Sequence, residues 1–418
     1  MMKIKIKQAA LLTLASLWSV VSLAQGQNYI IRFKDSALVE VKQGSVRDDR
    51  VAQDPDHWAY VGERVLGHIQ NLEKKHGLKA NAAYGQVFKG MSATLSPAQL
   101  ETLRRDPSVD VIEAEQAYKV PTASATGKTS GGGGGGSLAQ ILPWGITQTM
   151  ANTSYTLAGN GSGAVSGVRI YVIDTGVDMK NADLNRSGHI NFMADGRNTD
   201  CNGHGTHVAG TMAAIDNSST VVGMAPGAAV YGVKVLGCDG AGTTTSVIKG
   251  IDWVAANAVK PAVVNMSLGG GASQLLDDAV RSAAGKGIFF SIAAGNESTN
   301  ACNTSPARVG GGSTGGVLVT AATDASNLEP SFSNFGSCVD IWAPGVNVTS
   351  LKLGGGTAVM SGTSMASPHV GGAAALYWGR YLSATPDAVT TYLRQSVKTT
   401  GTLSKDGSSV MLLQANVQ

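Results

Sequence analysis

Basic clusters are missing from this chain. Its 32 Lys and Arg stand against 29 Asp and Glu, for a net charge of +3. That excludes an electrostatic nucleic-acid binder, which needs a concentrated basic face. No apolar run of about 20 residues is present, so no membrane-spanning helix is expected. There is no H-E-x-x-H, and no cysteine or carboxylate pattern completes a zinc site near the histidines. Ser364 lies in Gly362-Thr363-Ser364-Met365-Ala366 and not in a G-x-S-x-G, which argues against the nucleophile turn of an α/β-hydrolase esterase. Aromatics are sparse at 6%, and cysteines number four. Glycine is abundant, with 54 residues, which fits an α/β protein with many tight turns and one low-complexity tract.

Charge density divides what is present. Residues 25–120 hold 26 charged side chains in 96 positions; residues 138–418 hold 31 in 281. Between them, residues 121–137 contain six consecutive glycines, 131–136, and read as a flexible coil and an easy proteolytic target. Residues 1–24 read as an export signal. Lys3, Lys5 and Lys7 precede an apolar stretch from Ala9 to Val21, and Ser22-Leu23-Ala24 ends it in small residues. The protein is therefore expected to be secreted, to the medium or the periplasm. An oxidising compartment permits bridges among Cys201, Cys238, Cys302 and Cys338, and spacing alone leaves three connectivities open.

The charged segment 25–120 predicts a β-α-β-β-α-β order, hence a small ferredoxin-like α+β unit. Its strands are placed at 29–34, in two runs within 84–95, and at 109–115. Its helices are placed at 57–75 and after the cap Ser96-Pro97. Residues 138–418 alternate strand and helix, which predicts a mainly parallel sheet with helices on both faces. Strands are expected at 168–173, 229–235, 261–267, 287–293 and 316–322. Helices are expected at 204–215, 244–258, 275–285, 364–381 and 386–396.

Four segments carry chemistry. Asp174 closes an apolar strand and is followed by Thr175-Gly176, at the strand end where open α/β sheets gather ligands. Its bland alternative is a turn cap. Asn202-Gly203-His204-Gly205-Thr206-His207 opens a helix, and a neutral His204 imidazole can accept a proton. His207 reads as structural. Gly362-Thr363-Ser364-Met365-Ala366-Ser367-Pro368 delivers a serine to a helix start, where free N–H groups can receive an oxyanion. An ordinary N-cap is the alternative there. Asn296 ends another apolar strand and offers a neutral amide donor.

The order Asp174, His204, Ser364 resembles the subtilisin-like serine proteases, whose three signatures these segments match. Phe332-Ser333-Asn334-Phe335-Gly336-Ser337 is similar to the proteinase K branch. The resemblance covers nearly all of residues 138–400. It implies a secreted serine endopeptidase working through an acyl-enzyme, with Asp174, His204 and Ser364 as triad. Asn296 and the Ser364 N–H form the oxyanion hole. Substrate binds as a strand beside Ser267, Leu268, Gly269 and Gly270, near Ala293, Ala294 and Gly295. Specificity is expected to be broad, with an apolar residue before the cut bond, because these pocket segments hold no Asp or Glu. The implied disulfides are Cys201–Cys238 and Cys302–Cys338. Structural calcium is implied at Asp324 with the Gly315 and Val317 carbonyls; acidic ligands for a second site are lacking in 151–163. Residues 25–120 resemble an inhibitor-type propeptide, with 114–120 entering the cleft after self-cleavage between Lys119 and Leu138. The partners are then polypeptide substrates and the chain's own leader, and the enzyme is expected to be a monomer. A non-catalytic binding protein of the same shape would be expected to have lost one of the four chemical positions; all four are present.

Overall fold

The computed structural model describes residues 26–40, 44, 46–120, 140–312 and 314–418. The export segment, the glycine tract and most of the expected processing region lie outside the described residues. Two compact units result. One comprises the chain up to residue 85 together with 89–115; the other comprises 86–88 and 116–418.

The first unit follows the expected order: β1 (Gln27–Phe33), α1 (Glu63–His76), β2 (Ala80–Tyr84), β3 (Gly90–Leu95), α2 (Pro97–Arg104) and β4 (Val109–Ala114). Its sheet runs β2-β3-β1-β4, antiparallel throughout. Ile31, Phe33, Leu66, Ile69 and Met91 build its core. The Ser96 cap is a full capping box with Gln99, which starts α2 where the sequence placed it. β2 begins at Ala80, four residues before the expected run. Its alanine-rich stretch has weak strand propensity, and pairing with β3 decides it.

The second unit holds β5 (Ala117–Lys119), β6 (Arg169–Asp174), β7 (Arg186–Asn191), α3 (His204–Ala213), β8 (Ala229–Lys234), β9 (Ala241–Thr243) and α4 (Thr244–Asn257). There follow β10 (Ala262–Met266), β11 (Gly269–Gly270), α5 (Gln274–Gly285), β12 (Ile288–Ala293), β13 (Val317–Thr323) and β14 (Ile341–Pro344). The chain closes with β15 (Val348–Leu351), β16 (Thr357–Met360), α6 (Thr363–Arg380), α7 (Pro386–Gln395), β17 (Val397–Leu403) and β18 (Ser409–Leu413). A nine-stranded sheet runs β17-β18-β14-β13-β12-β10-β6-β8-β7. It is parallel except for the β17–β18 hairpin. Every expected strand and helix of this unit is present within about two residues. The C-terminal hairpin was not expected, because β17 is polar and mostly exposed and carries no alternation.

The winding positions the site. From β6 the chain goes to β8 on one side and returns to β10 on the other, so β6 lies at a topological switch. Asp174 ends β6, Ser267 follows β10, and Asn296 follows β12, all at carboxyl ends of parallel strands. α3 and α6 are buried helices rich in Ala and Gly, sharing one core with the sheet.

Candidate active site

Asp174 and His204 meet as the sequence implied. His204 Nδ1 lies 2.8 and 3.0 Å from the two Asp174 carboxylate oxygens, and the Thr175 N–H donates to Oδ1 at 2.7 Å. Both side chains are buried. The other ring nitrogen, Nε2, is buried with no hydrogen-bond partner. A proton on Nδ1 therefore leaves Nε2 as a free acceptor.

Two residues that sequence reasoning missed hold this half in place. The buried carboxylate of Asp200 accepts from the Thr175 hydroxyl, the Asn202, Gly203 and Thr206 N–H groups, and the Thr206 hydroxyl. It fixes the first turn of α3, whose N-terminal partial charge favours an anion. The signal was present: Asp200 precedes a Gly203 helix start and an apolar run, as a capping carboxylate does. Lys234 sits opposite Asp174 on β8. Its buried ammonium donates to the Thr175 and Leu236 carbonyls and pairs with Asp195 at 3.3 Å. Glycine is required where α3 meets the Asp174 turn, because a Cβ on Gly205 would stand 2.0 Å from the Gly176 carbonyl oxygen. His207 is structural. Its Nε2 donates to the Val348 and Ala358 carbonyls, and burial pushes its pKa down to about 3.

The nucleophile turn follows from Pro368. A proline inside α6 offers no N–H, so the Ser364 carbonyl four residues back loses its helical donor. The Ser267 hydroxyl fills that place at 2.8 Å, and it accepts in turn from the Asn265 amide at 2.8 Å. Asn265 Oδ1 accepts from the Ser367 hydroxyl, and the Ser291 hydroxyl donates to the Ser367 carbonyl. A neutral network thus pins the first turn of α6 to β10 and β12. Ser364 Oγ donates to the Ser267 carbonyl at 3.3 Å. Ser267, expected as a substrate-binding residue, spends its hydroxyl and its carbonyl on this turn. Asn296 Oδ1 accepts from the Thr363 N–H at 2.9 Å and its hydroxyl at 2.8 Å. That orients the amide and leaves Nδ2, buried and unpartnered, as a donor. A Cβ on Gly362 would come within 2.9 Å of that nitrogen.

Beside the site, β5 is the middle strand of a three-stranded sheet, β11-β5-β9. Lys119 pairs with Gly269 and Ala241, and Tyr118 with Gly270 and Gly242. The Tyr118 hydroxyl donates to the Gly271 carbonyl at 2.7 Å. β5 is therefore paired on both edges, and the 241–243 edge had no signal in the sequence. A pocket of about 560 Å3 opens next to it, lined by Leu268, Gly269, Ala293, Ala294 and Gly295 on one side and Thr304, Ser305 and Ala307 on the other. It also contains Glu297, one residue past Asn296 and outside the segments expected to line it. Its Oε2 accepts from the Asn334 amide at 2.8 Å.

The disulfides Cys201–Cys238 and Cys302–Cys338 are those implied. The calcium assignment fails on geometry. Val317 opens β13 and Asp324 follows its end, about 20 Å away at ~3.3 Å per residue. Asp324 Oδ1 instead accepts from the Ser326 and Leu328 N–H groups, closing its own turn. Gly315 backs onto Asp387, whose Oδ1 lies 1.5 Å from where a Cβ would be. Among the described residues, the acidic and sulfur ligands that gather are Asp195, Cys201 and Cys238, and the two sulfurs are bonded to each other.

Residues 165–410 match the model of the subtilase family, and residues 28–121 match the peptidase inhibitor I9 model. The chain is 42% identical to the alkaline serine exoprotease A of Vibrio alginolyticus, over 77% of this chain and 57% of that one. It is 39% identical to an extracellular serine proteinase of Thermus sp. (strain Rt41A), over 76% of this chain and 73% of that one. The chain thus spans little more than half of the Vibrio relative. A crystal structure of a cold adapted subtilisin-like serine proteinase matches with a TM-score of 0.56 and 38% identity, covering 67% of this chain and all of that one.

Proposed function

The chain belongs to the subtilase family, and from that premise we propose that it is a secreted serine endopeptidase made as a self-processing precursor. In this reading Ser364 Oγ leaves the Ser267 carbonyl, gives its proton to His204 Nε2 and attacks a peptide carbonyl. The C–N bond breaks as His204 returns the proton to the leaving amine. Water, activated by the same imidazole, then hydrolyses the acyl-enzyme. Asp174 keeps the Nδ1 proton in place and stabilises the imidazolium. The Asn296 amide and the Ser364 N–H receive the oxyanion. One observation carries the proposal: two buried, unpartnered nitrogens, His204 Nε2 and Asn296 Nδ2, are each fixed from their far side by Asp174 and Thr363. Leaving such groups unpaired costs stability, and here it leaves an acceptor and a donor free to meet a substrate.

Substrate is proposed to take the place of β5 between Gly269–Gly270 and Ala241–Thr243, so that main-chain bonds give affinity and side chains give little choice. β5 itself is then the leader's tail, an intramolecular inhibitor. Export is proposed to proceed from the signal 1–24, and processing between Lys119 and Leu138. Glu297 extends the apolar preference, because its carboxylate can pair with Lys or Arg in the pocket. Cleavage-site profiling checks that: Glu297→Gln should lower cutting after basic residues severalfold and leave cutting after apolar ones unchanged.

The test of the main proposal is a Ser364→Ala precursor expressed alone. It should stay uncut and inert to a fluorophosphonate label, while the parent is cut and labelled. Processing at the same joint in Ser364→Ala would show that another protease does the work.

A further inference from the structure

The β17–β18 hairpin reaches back to the loop behind the oxyanion amide, with the Thr402 and Ser404 hydroxyls bonded to Asn327 and Glu329 and with Lys405 at the centre. Its ammonium lies 3.0 Å from the Ser331 carbonyl, 3.4 Å from the Pro330 carbonyl, 3.3 Å from the Ser298 hydroxyl and 3.5 Å from Glu329 Oε1. It also donates to the Ser333 carbonyl and stands 5.3 Å from the centre of the Phe335 ring. Three carbonyls, a hydroxyl, a carboxylate and an aromatic face converge on one positive charge. Five oxygens exceed the three donors of an ammonium, so some are shared. Hard oxygens at this number are also what a small spherical cation asks for. The carboxylate is not idle. Glu329 is buried, with Oε2 accepting from the Trp342 indole at 3.0 Å and the Ser404 hydroxyl at 2.7 Å.

We propose that the oxygens of 329–333 and Ser298 form a cation site, filled by the chain's own ammonium, which holds the loop that positions Asn296. The link to the reaction is short. The Asn334 N–H donates to the Gly295 carbonyl, and its amide donates to the Ala294 carbonyl. Asn334 Oδ1 accepts from the Glu297 and Thr299 N–H groups, and the Ser298 N–H donates to the Phe332 carbonyl. Residues 294–299, which carry Asn296 and one pocket wall, are therefore tied on both flanks to the loop that Lys405 gathers. Without the ammonium, converging carbonyl oxygens and a buried carboxylate repel one another, and the loop opens. Lys405 is a positioning residue in this account. The ligand class that replaces it is a small monovalent cation, ammonium or potassium, because the site has a single carboxylate and holds one ammonium head.

The role of Asn296 rests on the reading given above, so the test reads stability as well as turnover. In full-length Ser364→Ala protein, where self-digestion is absent, Lys405→Ala should lower the melting temperature by about 5 °C. Ammonium or potassium chloride should restore it, and tetramethylammonium chloride at equal ionic strength should not. In the active protein, Lys405→Ala should lower kcat about tenfold with KM changed less, and ammonium should recover it. Lys405→Gln keeps two donors without the charge and serves if the alanine protein does not fold; it should show the same selective rescue. An unchanged melting temperature, or equal rescue by all three salts, overturns the cage. If selective rescue of stability appears without any effect on kcat, the cage stands and the link to Asn296 falls.

Discussion

The turn that carries His204 and the turn that carries Ser364 are both glycine-led helix starts, yet opposite chemistry holds them. Around His204 the anchors are charged. Asp174 and Asp200 are buried carboxylates, and Lys234 closes the rear of the same turn. Around Ser364 the anchors are neutral: Ser267, Asn265, Ser291, Ser367 and Thr363. The difference matches where charge develops. In the proposed mechanism an imidazolium forms on the first side and is stabilised by fixed negative charge. The proposed oxyanion forms on the second, where a buried carboxylate would oppose it and neutral donors would not.

The largest test attacks both sides at their charge-handling atoms. Asp174→Asn should lower kcat by about 10^4, the size seen when the triad carboxylate is neutralised in another serine protease. Asn296→Ala should lower kcat by about 10^2–10^3 with KM little changed, a magnitude known from subtilisin of this same family. Equal losses from the two would erase the asymmetry. Next come the anchors. Asp200→Ala strands several donors at once and should cost about 3 kcal/mol of stability, while Ser367→Ala, in the neutral network, should cost about 1 kcal/mol. Chemical denaturation of the Ser364→Ala background measures both, and a larger cost for Ser367→Ala would reverse the comparison.

The smallest effect is in acid. Burial holds His207 down to about 3 and His369 down to about 4. The unfolded chain binds those protons near pH 6.5, and the folded one does not. Their stability is therefore full above that pH and lost as pH falls toward 4. Asp277 works the other way. Burial lifts it to about 6 although Arg308 stands 2.7 Å away, so it adds stability as pH falls from 6 to about 4. His207 and His369 thus oppose Asp277 over this range. His207→Gln should reduce the slope of stability against pH by up to one proton between pH 6 and 4, and an unchanged slope would show that His207 is not the group that charges.

Legibility differed between elements for definite reasons. The strands at 169–174, 262–266 and 288–293 were readable because burial on both faces makes them continuous apolar runs. The hairpin 397–413 was not, because its first strand faces solvent and alternates nothing. Asp174, His204, Asn296 and Ser364 could be named because each sits at a glycine-marked turn. Lys234 lies inside an ordinary strand pattern and could not. The calcium ligands were placed wrongly because closeness in number, 315 to 324, meant the two ends of a strand rather than one loop.

Residue order alone determined the alternation of strand and helix, the glycine turns that present the chemical side chains, and the division into a charged leader and a charge-poor second unit. These are local properties, set by side-chain periodicity and backbone sterics. Only the tertiary structure decided that Ser267 replaces the donor Pro368 lacks, that Glu297 lines the pocket, and that Lys405 gathers the loop behind Asn296. Each of those joins groups tens to more than a hundred residues apart, and packing rather than propensity brings them within hydrogen-bonding or van der Waals reach.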